Sequence, residues 1–334
     1  MSTPLISVVI PVHNGADTLI ETLGSLESQT WKDFEVLLVF NGCTDQSLEL
    51  ANRYQIGSNL NIHSIELEES GIVGALNAGL KYAKGNFIAR LDADDLCFPN
   101  RLETQLELLN RVSNIAVCGS RVEFFGDSKS KNNTENLMNI PISNGEIHCE
   151  LLFSNPLPHP SVMINRSIID GGLLKYDMGY FLAEDYALWV KLAKKGYQFR
   201  NIEDPLIRYR LHENQTTKSY RDLRIESCSK IQSEIFKHYC GDLEVSEINL
   251  YQNWAKQEPF PCVQDLYRLF GLVKKLSEVA RGVSFLNKEE WVRQLYRQWQ
   301  RLLYTHQYMG IRVKILSAFS NLYFKAFCSK VSFQ

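Results

Sequence analysis

Continuous apolar runs alternate with helically spaced ones through the first part of this chain, and few folds accept that order. Residues 6–11 (Ile-Ser-Val-Val-Ile-Pro) form a run of the kind that makes a strand covered on both faces. Residues 16–28 place Leu19, Leu23 and Leu26 on one helical stripe, with Asn14, Gly15 and Asp17 near its start. The pattern then predicts a strand over 35–40, a helix over 48–54, a strand over 61–65 and a helix over 72–83. Lys84-Gly85 is expected to close that last helix as a glycine C-cap, and residues 87–91 to form a fourth strand. The β-α-β-α order implies an α/β fold: a Rossmann-like, mainly parallel sheet with helices on both faces. Ligands of such sheets sit beyond the carboxyl ends of the strands. Polar residues cluster in the three loops that fall there, 12–15, 41–45 and 92–95.

The rest of the chain reads differently. Residues 126–145 are rich in Ser, Asn and Lys and are expected to form a mobile loop, with order returning over 147–153. A helix is predicted over 184–195, ended by Gly196, and a strand over 205–209. Beyond about residue 220 helical spacing dominates, over 225–239, 263–280 and 291–304. A chain of 334 residues suggests two domains, drawn here as 1–219 and a helical C-terminal region, 220–334. After Glu290 there are no acidic residues but seven basic ones, Arg293, Arg297, Arg301, Arg312, Lys314, Lys325 and Lys330, while Ile311, Ile315, Phe319, Tyr323 and Phe327 recur every fourth position. Such a basic amphipathic tail suits an anionic membrane surface; the alternative is a helix packed on its own domain with its charges solvated.

A net charge of −2 gives no sign of a nucleic-acid binder. No apolar run reaches the roughly 18 residues that a membrane-crossing helix needs, and residues 5–12 read as a strand, not a secretory signal. A cytoplasmic location is expected, with peripheral membrane contact if the tail supplies it. The eight cysteines contain no C-x-x-C pair, so free thiols are expected, and the sequons at Asn132, Asn165 and Asn214 read as chance matches.

Asp92-Ala93-Asp94-Asp95 follows directly on the fourth predicted strand. Carboxylates so crowded repel one another and persist most naturally around a hard cation, which would offset charge growing on a departing diphosphate. The alternative is a turn whose Asp residues accept backbone N–H groups. Glu184 and Asp185 open a predicted helix, where acids are also common simply because the dipole favours them.

These residues sit among others that together resemble family-2 glycosyltransferases of the nucleotide-diphospho-sugar (GT-A) fold. The resemblance is carried by residues 7–15, Gly71 to Gly79, Gly85-Asn86-Phe87-Ile88, Asp92-x-Asp94-Asp95, Pro99-x-Arg101-Leu102, His159-Pro160-Ser161-Val162-Met163 and Glu184-Asp185-Tyr186-x-Leu188-Trp189. It covers about residues 5–215 and leaves the last third unassigned. It implies an inverting transferase that moves a sugar from a nucleotide-diphospho-sugar, most often a UDP-sugar, to an acceptor hydroxyl with Mn²⁺ or Mg²⁺. Pro11, His13 and Asn14 would lie beside the nucleotide, with Asn41, Asp45 and Asn77 in the same surroundings. Asp94 and Asp92 would serve metal and ribose, His212 would complete the metal site or touch a phosphate, and Asp185 of the Glu184-Asp185 pair would be the general base. His159 would border the sugar or acceptor pocket, against the alternative of a capped turn residue.

The sequence departs from the family at two positions. Asn41 stands where many members have an acid that contacts the base, and Leu76 where many have Arg. No Q-x-x-R-W motif occurs, which argues against a processive polysaccharide synthase. The expected acceptor is a growing surface glycan on a lipid carrier. Two other classes compete. One is a nucleotidyltransferase on a related fold, disfavoured because residues 11–15 carry no Lys or Arg to hold a triphosphate. The other is a non-catalytic sugar-nucleotide-binding scaffold, disfavoured by the joint presence of Asp92, Asp94 and Asp185.

Overall fold

The structure is a computed structural model and describes residues 4–69, 71–126, 137–212, 220–241, 244–256 and 263–305. The chain divides into two compact units. The first comprises the described residues of Met1–Ile140, Leu157–Leu192 and Tyr197–Arg224; the second comprises those of Pro141–Pro156, Ala193–Gly196 and Ile225–Gln334.

The first unit is built on an eight-stranded sheet. Strands β1 (Ile6–Val12) and β2 (Phe34–Asn41) are buried along their whole length, as their unbroken apolar runs require. Strand β3 (Asn61–Leu67) is the edge, and its exposure alternates accordingly. Helices α1 (Leu19–Glu27), α2 (Ser47–Gly57) and α3 (Ile72–Tyr82) are the crossovers, and β4 (Phe87–Arg90) pairs parallel on the other side of β1. The order β3-β2-β1-β4 reverses direction between β1 and β4. Their carboxyl ends therefore frame the crevice where such sheets bind ligands.

Beyond β4 the sheet becomes mixed. Strand β5 (Leu96–Cys97) and helix α4 (Arg101–Arg111) lead into β6 (Ile115–Gly126); β7 (Met163–Asn165) runs antiparallel between β4 and β6, and β8 (Gln198–Leu211) lies between β6 and β5. Register shifts interrupt the long β6–β8 pair, one of them where Arg121 opposes Pro205, a residue with no N–H to give the ladder. The expectation of a Rossmann-like, mostly parallel sheet with helices around it is borne out.

Gly85 corrects the C-cap expectation. It does not adopt a left-handed backbone, and α3 ends at Ala83 with φ −59 and ψ 129. A Cβ at Gly85 would lie 2.6 Å from the Ser7 nitrogen, so only glycine permits this approach of backbone to backbone. Buried Glu35 fixes the same corner, accepting from Ser7 Oγ (2.6 Å) and the Lys84 N–H (2.8 Å). Helix α6 (Glu184–Lys194), by contrast, does end at a left-handed glycine. The Gly196 N–H meets the Ala193 carbonyl and the Tyr197 N–H the Leu192 carbonyl, the Schellman pattern.

The second unit is helical: α5 (Asn144–Glu150), α7 (Arg221–Cys240) from Ile225 onward, α8 (Val245–Ala255), α9 (Val263–Gly282) and α10 (Lys288–Thr305). Trp254, Trp291 and Trp299 are fully buried in it. Residues 141–156, which sequence reading placed before the 219/220 boundary, join this unit for an electrostatic reason. Glu146 and Glu150 on α5 are buried, and α10 supplies their partners. Arg297 lies 3.2 Å from Glu146, Arg301 lies 3.5 Å from Glu150, and the Gln294 and Gln298 amides donate to the Glu150 carboxylate. Arg293, Arg297 and Arg301, three of the seven tail cations, are thus paired within the unit. The other four, and the apolar repeat from Ile311 to Phe327, lie outside the described residues, as do residues 127–136 of the expected mobile loop. Among the described residues no helix is long and apolar enough to cross a membrane.

Candidate active site

The carboxyl ends of β1, β2 and β4 carry three loops, and the first two clasp each other. Asn14, left-handed at φ 52, accepts the Thr44 N–H through Oδ1 (2.8 Å). The Asn41 amide donates to the Val12 carbonyl (2.8 Å) and accepts from the Gly71 N–H (3.0 Å). Asp45 accepts from the Ala16 N–H (2.9 Å) and from Ser47 Oγ (2.5 Å). Burial opposes the charge on Asp45, yet these hydrogen bonds hold its carboxyl below the usual range. His13 Nδ1 donates to the Asn41 carbonyl (2.8 Å), which leaves Nε2 as the acceptor on an exposed ring. Pro11 is buried within β1, while Asn77 on α3 exchanges both of its amide bonds with the Tyr176 backbone (2.9 Å each). Of the residues expected to surround a nucleotide, His13 and Asn14 face solvent, whereas Asn41, Asp45 and Asn77 use their polar groups within the protein.

The third loop holds the acids. Oxygens of Asp92, Asp94 and Asp95 all lie within 4.8 Å of one another. The loop is anchored by Thr18 and Thr22, which both donate to the Ala93 carbonyl, and by Arg210, whose Nε donates to the Asp94 carbonyl (2.8 Å) and whose N–H donates to Asp95 Oδ1 (2.8 Å). Asp95 Oδ2 is buried without a hydrogen-bond partner. His212, just past the end of β8, brings Nε2 to 3.2 Å from Asp94 Oδ2. Burial and the Asp92 charge push the Asp94 carboxyl up, and the same two causes push Asp95 well up. An all-oxygen donor set with mutual repulsion and an unpartnered buried oxygen fits a divalent cation.

Arg90, the last residue of β4, was not singled out by sequence reading, and it organises the site. Its guanidinium is buried and ion-paired to Asp92; Nε and Nη1 have no partner. Burial opposes its charge, and Asp92 more than restores it. Its field also reaches Asp95, His159, Tyr176, Glu184 and Tyr209. The available signal was a lone cation in an otherwise apolar buried strand, two residues before the acids, a placement that demands a partner. Arg101 fixes the same strand end from below: it is fully buried and donates to the Arg90 carbonyl (2.6 Å).

The second acid pair begins α6. Leu182 turns left-handed (φ 52), and the chain enters the helix at Glu184 and Asp185. Asp185 is half-buried and accepts the Tyr186 N–H through Oδ1 (2.7 Å). Glu184 is only 6% exposed, and its Oε2 has no hydrogen-bond partner. Burial first, and the neighbouring Asp185 second, raise its carboxyl to about 7; Arg90 and Asp92 also act on it, so both acid pairs share one electrostatic environment. His159 is buried, lies 3.0 Å from the Tyr176 hydroxyl through Nε2, and packs edge-on against Trp189 of α6. Burial and Arg90 lower its pKa well below normal, so it is neutral near pH 7.

A raised acid pKa gives folding a contribution that is full below the unfolded value near 4.5 and is lost as pH rises to about 7. In EDTA, the stability difference between Glu184→Gln and the unsubstituted protein is therefore expected to shift by about 3 kcal/mol in favour of the variant from pH 4.5 to pH 8. Urea unfolding at several pH values measures it, and a pH-independent difference would refute the assignment.

A carboxylate cluster at the switch point of a Rossmann-like sheet, faced by a second acid pair at a helix start, is the arrangement of a GT-A type glycosyltransferase. The sequence pattern described as "Glycosyl transferase family 2" matches residues 7–171. The amylovoran biosynthesis glycosyltransferase AmsE of Erwinia amylovora is 31% identical over 219 residues, 64% of this chain and 79% of that protein. The chain belongs to glycosyl transferase family 2 and is a transferase enzyme. Two solved structures share its fold. S. aureus TarS 1–349 in complex with UDP-GlcNAc has a TM-score of 0.58 at 17% identity, over 90% of this chain and 89% of that one. The mannosyltransferase PcManGT of Pyrobaculum calidifontis, in complex with GDP-Man and Mn²⁺, has a TM-score of 0.54 at 14% identity, over 99% and 85%.

Proposed function

We propose that this enzyme is an inverting glycosyltransferase that moves a sugar from a nucleotide-diphospho-sugar to an acceptor hydroxyl, with Asp185 as the general base. The observation that carries the reading is the pair of acid groups facing one electrostatic environment around Arg90. Asp185 takes the proton of the acceptor hydroxyl as its oxygen attacks the anomeric carbon; the bond to the diphosphate oxygen breaks in the same step, and the configuration inverts. Asp94, with Asp92 and His212, would hold Mn²⁺ or Mg²⁺, which when bound neutralises charge on the leaving diphosphate. Arg90 is ion-paired to Asp92 and orients its carboxylate within the cluster. His13 and Asn14 border the nucleotide.

A UDP-sugar is the first donor to test, and a GDP-sugar the second, since the two structural neighbours bind one of each. The AmsE relationship supports a role in polysaccharide synthesis, with a lipid-linked glycan as acceptor and a cytoplasmic location. On this reading residues 1–219 carry donor binding and catalysis, and the helical region is accessory, with the tail beyond residue 305 available for a membrane surface.

Thermal denaturation with UDP-Glc, UDP-Gal, UDP-GlcNAc and GDP-Man, with and without Mn²⁺, tests this. The correct donor at 100 times its Kd adds about 2.7 kcal/mol of stability, and only when the metal is present. Stabilisation by none of them, or release of pyrophosphate from a nucleoside triphosphate, would overturn the reading.

A further inference from the structure

Asp92, Asp94 and Asp95 crowd together against their mutual repulsion, so they must be held from outside their loop. Arg210, near the end of β8, grips that loop twice. Its N–H donates to Asp95 Oδ1 and its Nε to the Asp94 carbonyl, each at 2.8 Å. The guanidinium is in turn fixed on two sides. Nη2 donates to Glu21 Oε2 on α1 (2.5 Å), and the guanidinium carbon lies 4.5 Å from the centre of the Phe125 ring on β6. Phe125 and Arg210 oppose each other in the β6–β8 register, so the sheet itself delivers the ring to the guanidinium. Arg208, two residues earlier on β8, lies over the same ring at 4.6 Å. Sequence reading assigned no role to Glu21, Phe125 or Arg210.

Resting on the reading that these acids take a divalent cation, we infer that Arg210 is the positioning residue of the metal site, with Glu21 and Phe125 acting through it, and that the three together set the affinity for the cation. By gripping the Asp94 backbone carbonyl, the guanidinium fixes that residue without consuming either of its side-chain oxygens. Asp95 gives Oδ1 to the Arg210 N–H and retains Oδ2 unpartnered. Two residues on from Arg210, His212 Nε2 reaches Asp94 Oδ2 at 3.2 Å, so the end of β8 holds both the backbone and the side chain of Asp94. An uncompensated guanidinium beside the loop would oppose a dication; the Glu21 carboxylate offsets its charge. The Phe125 ring face keeps the guanidinium plane oriented, so that Nε and Nη2 serve different partners. A lysine in its place would offer one compact ammonium, unable to meet the carbonyl, the carboxylate and the ring face together. Groups that hold metal ligands in place change metal affinity by about 10–100-fold when they are removed.

The test titrates the full chain with Mn²⁺ alone, following free Mn²⁺ by electron paramagnetic resonance, and measures the metal-free Tm of each variant. Arg210→Lys is expected to raise the Mn²⁺ Kd by about tenfold. Phe125→Leu is expected to raise it by about threefold, and Phe125→Tyr to leave it at the starting value, because Tyr presents the same ring face. Glu21→Gln is expected to raise it by about threefold at low ionic strength, with the difference shrinking in about 0.5 M KCl, where exposed charges are screened. A lower Tm with an unchanged Mn²⁺ Kd in Arg210→Lys and Phe125→Leu would show that the network only holds the fold, and would overturn the inference. So would a Phe125→Tyr variant as weak as Phe125→Leu, or a Glu21→Gln effect that salt leaves unchanged. If the unsubstituted chain binds no Mn²⁺, the metal site of the proposed function fails and this inference fails with it; equal affinity across all variants leaves that site standing and removes this inference alone.

Discussion

Asp185→Asn is expected to lower sugar transfer by about 10³-fold or more while the donor still binds. The substitution keeps the size and the helix-start position of the side chain but removes its capacity to accept a proton. General-base catalysis contributes about 10²–10⁴-fold, and no second group is placed to substitute without cost. Glu184 is the nearest alternative, but burial raises its carboxyl to about 7, so it is partly protonated where Asp185 must work. His159 is neutral, and its Nε2 is engaged with Tyr176. The decisive comparison measures kcat together with donor Kd, from thermal shift or calorimetry. Loss of kcat with an unchanged Kd supports the assignment. Full turnover by Asp185→Asn would refute it, and parallel loss of both would move Asp185 into donor binding.

The second large effect is expected from Asp94→Asn. The variant should lose the Mn²⁺-dependent part of donor stabilisation and about 10³-fold or more of transfer, because a diphosphate leaving group depends on charge neutralisation in the transition state. Apoprotein stability should hold or rise, since one of three mutually repelling carboxylates is gone and the Asp92 charge raises the pKa values of the other two. His212→Ala should be milder, since it leaves all three carboxylates in place and removes the contact of Nε2 with Asp94 Oδ2. The opposite ranking, with His212→Ala the more damaging, would show that His212 acts on the donor in place of the metal.

How far the sequence could be read depended on whether a residue's surroundings were local. Strands β1 and β2 were legible because their apolar runs mean the same thing wherever they are placed. The acids at 92–95 were legible because their crowding is itself a chemical statement. Asn41 and Asp45 carry a second role that the sequence did not disclose: a polar side chain in a loop at a strand end looks the same whether or not it also ties the neighbouring loop, and here both do. Arg90 was missed because, beyond its partner Asp92, the groups its charge acts on lie far along the chain, at 159, 176 and 184. The association of 141–156 with the helical unit was hidden for the same reason. Glu146 and Glu150 find their charged partners on α10, about 150 positions away. Helices α4 and α8 were not anticipated, while Gly85 was assigned the wrong reason for being glycine.

The mutual clasp of the first two loops has a consequence for evolution and engineering. Where a nucleobase is read by one protruding side chain, exchanging that side chain can retune the preference. Here the Asn41 amide and the Asp45 carboxylate tie neighbouring loops together, so substituting either is expected to loosen that frame. On the proposed reading that these loops border the nucleotide, a library that varies one position at a time is expected to yield weaker enzymes in place of redirected ones.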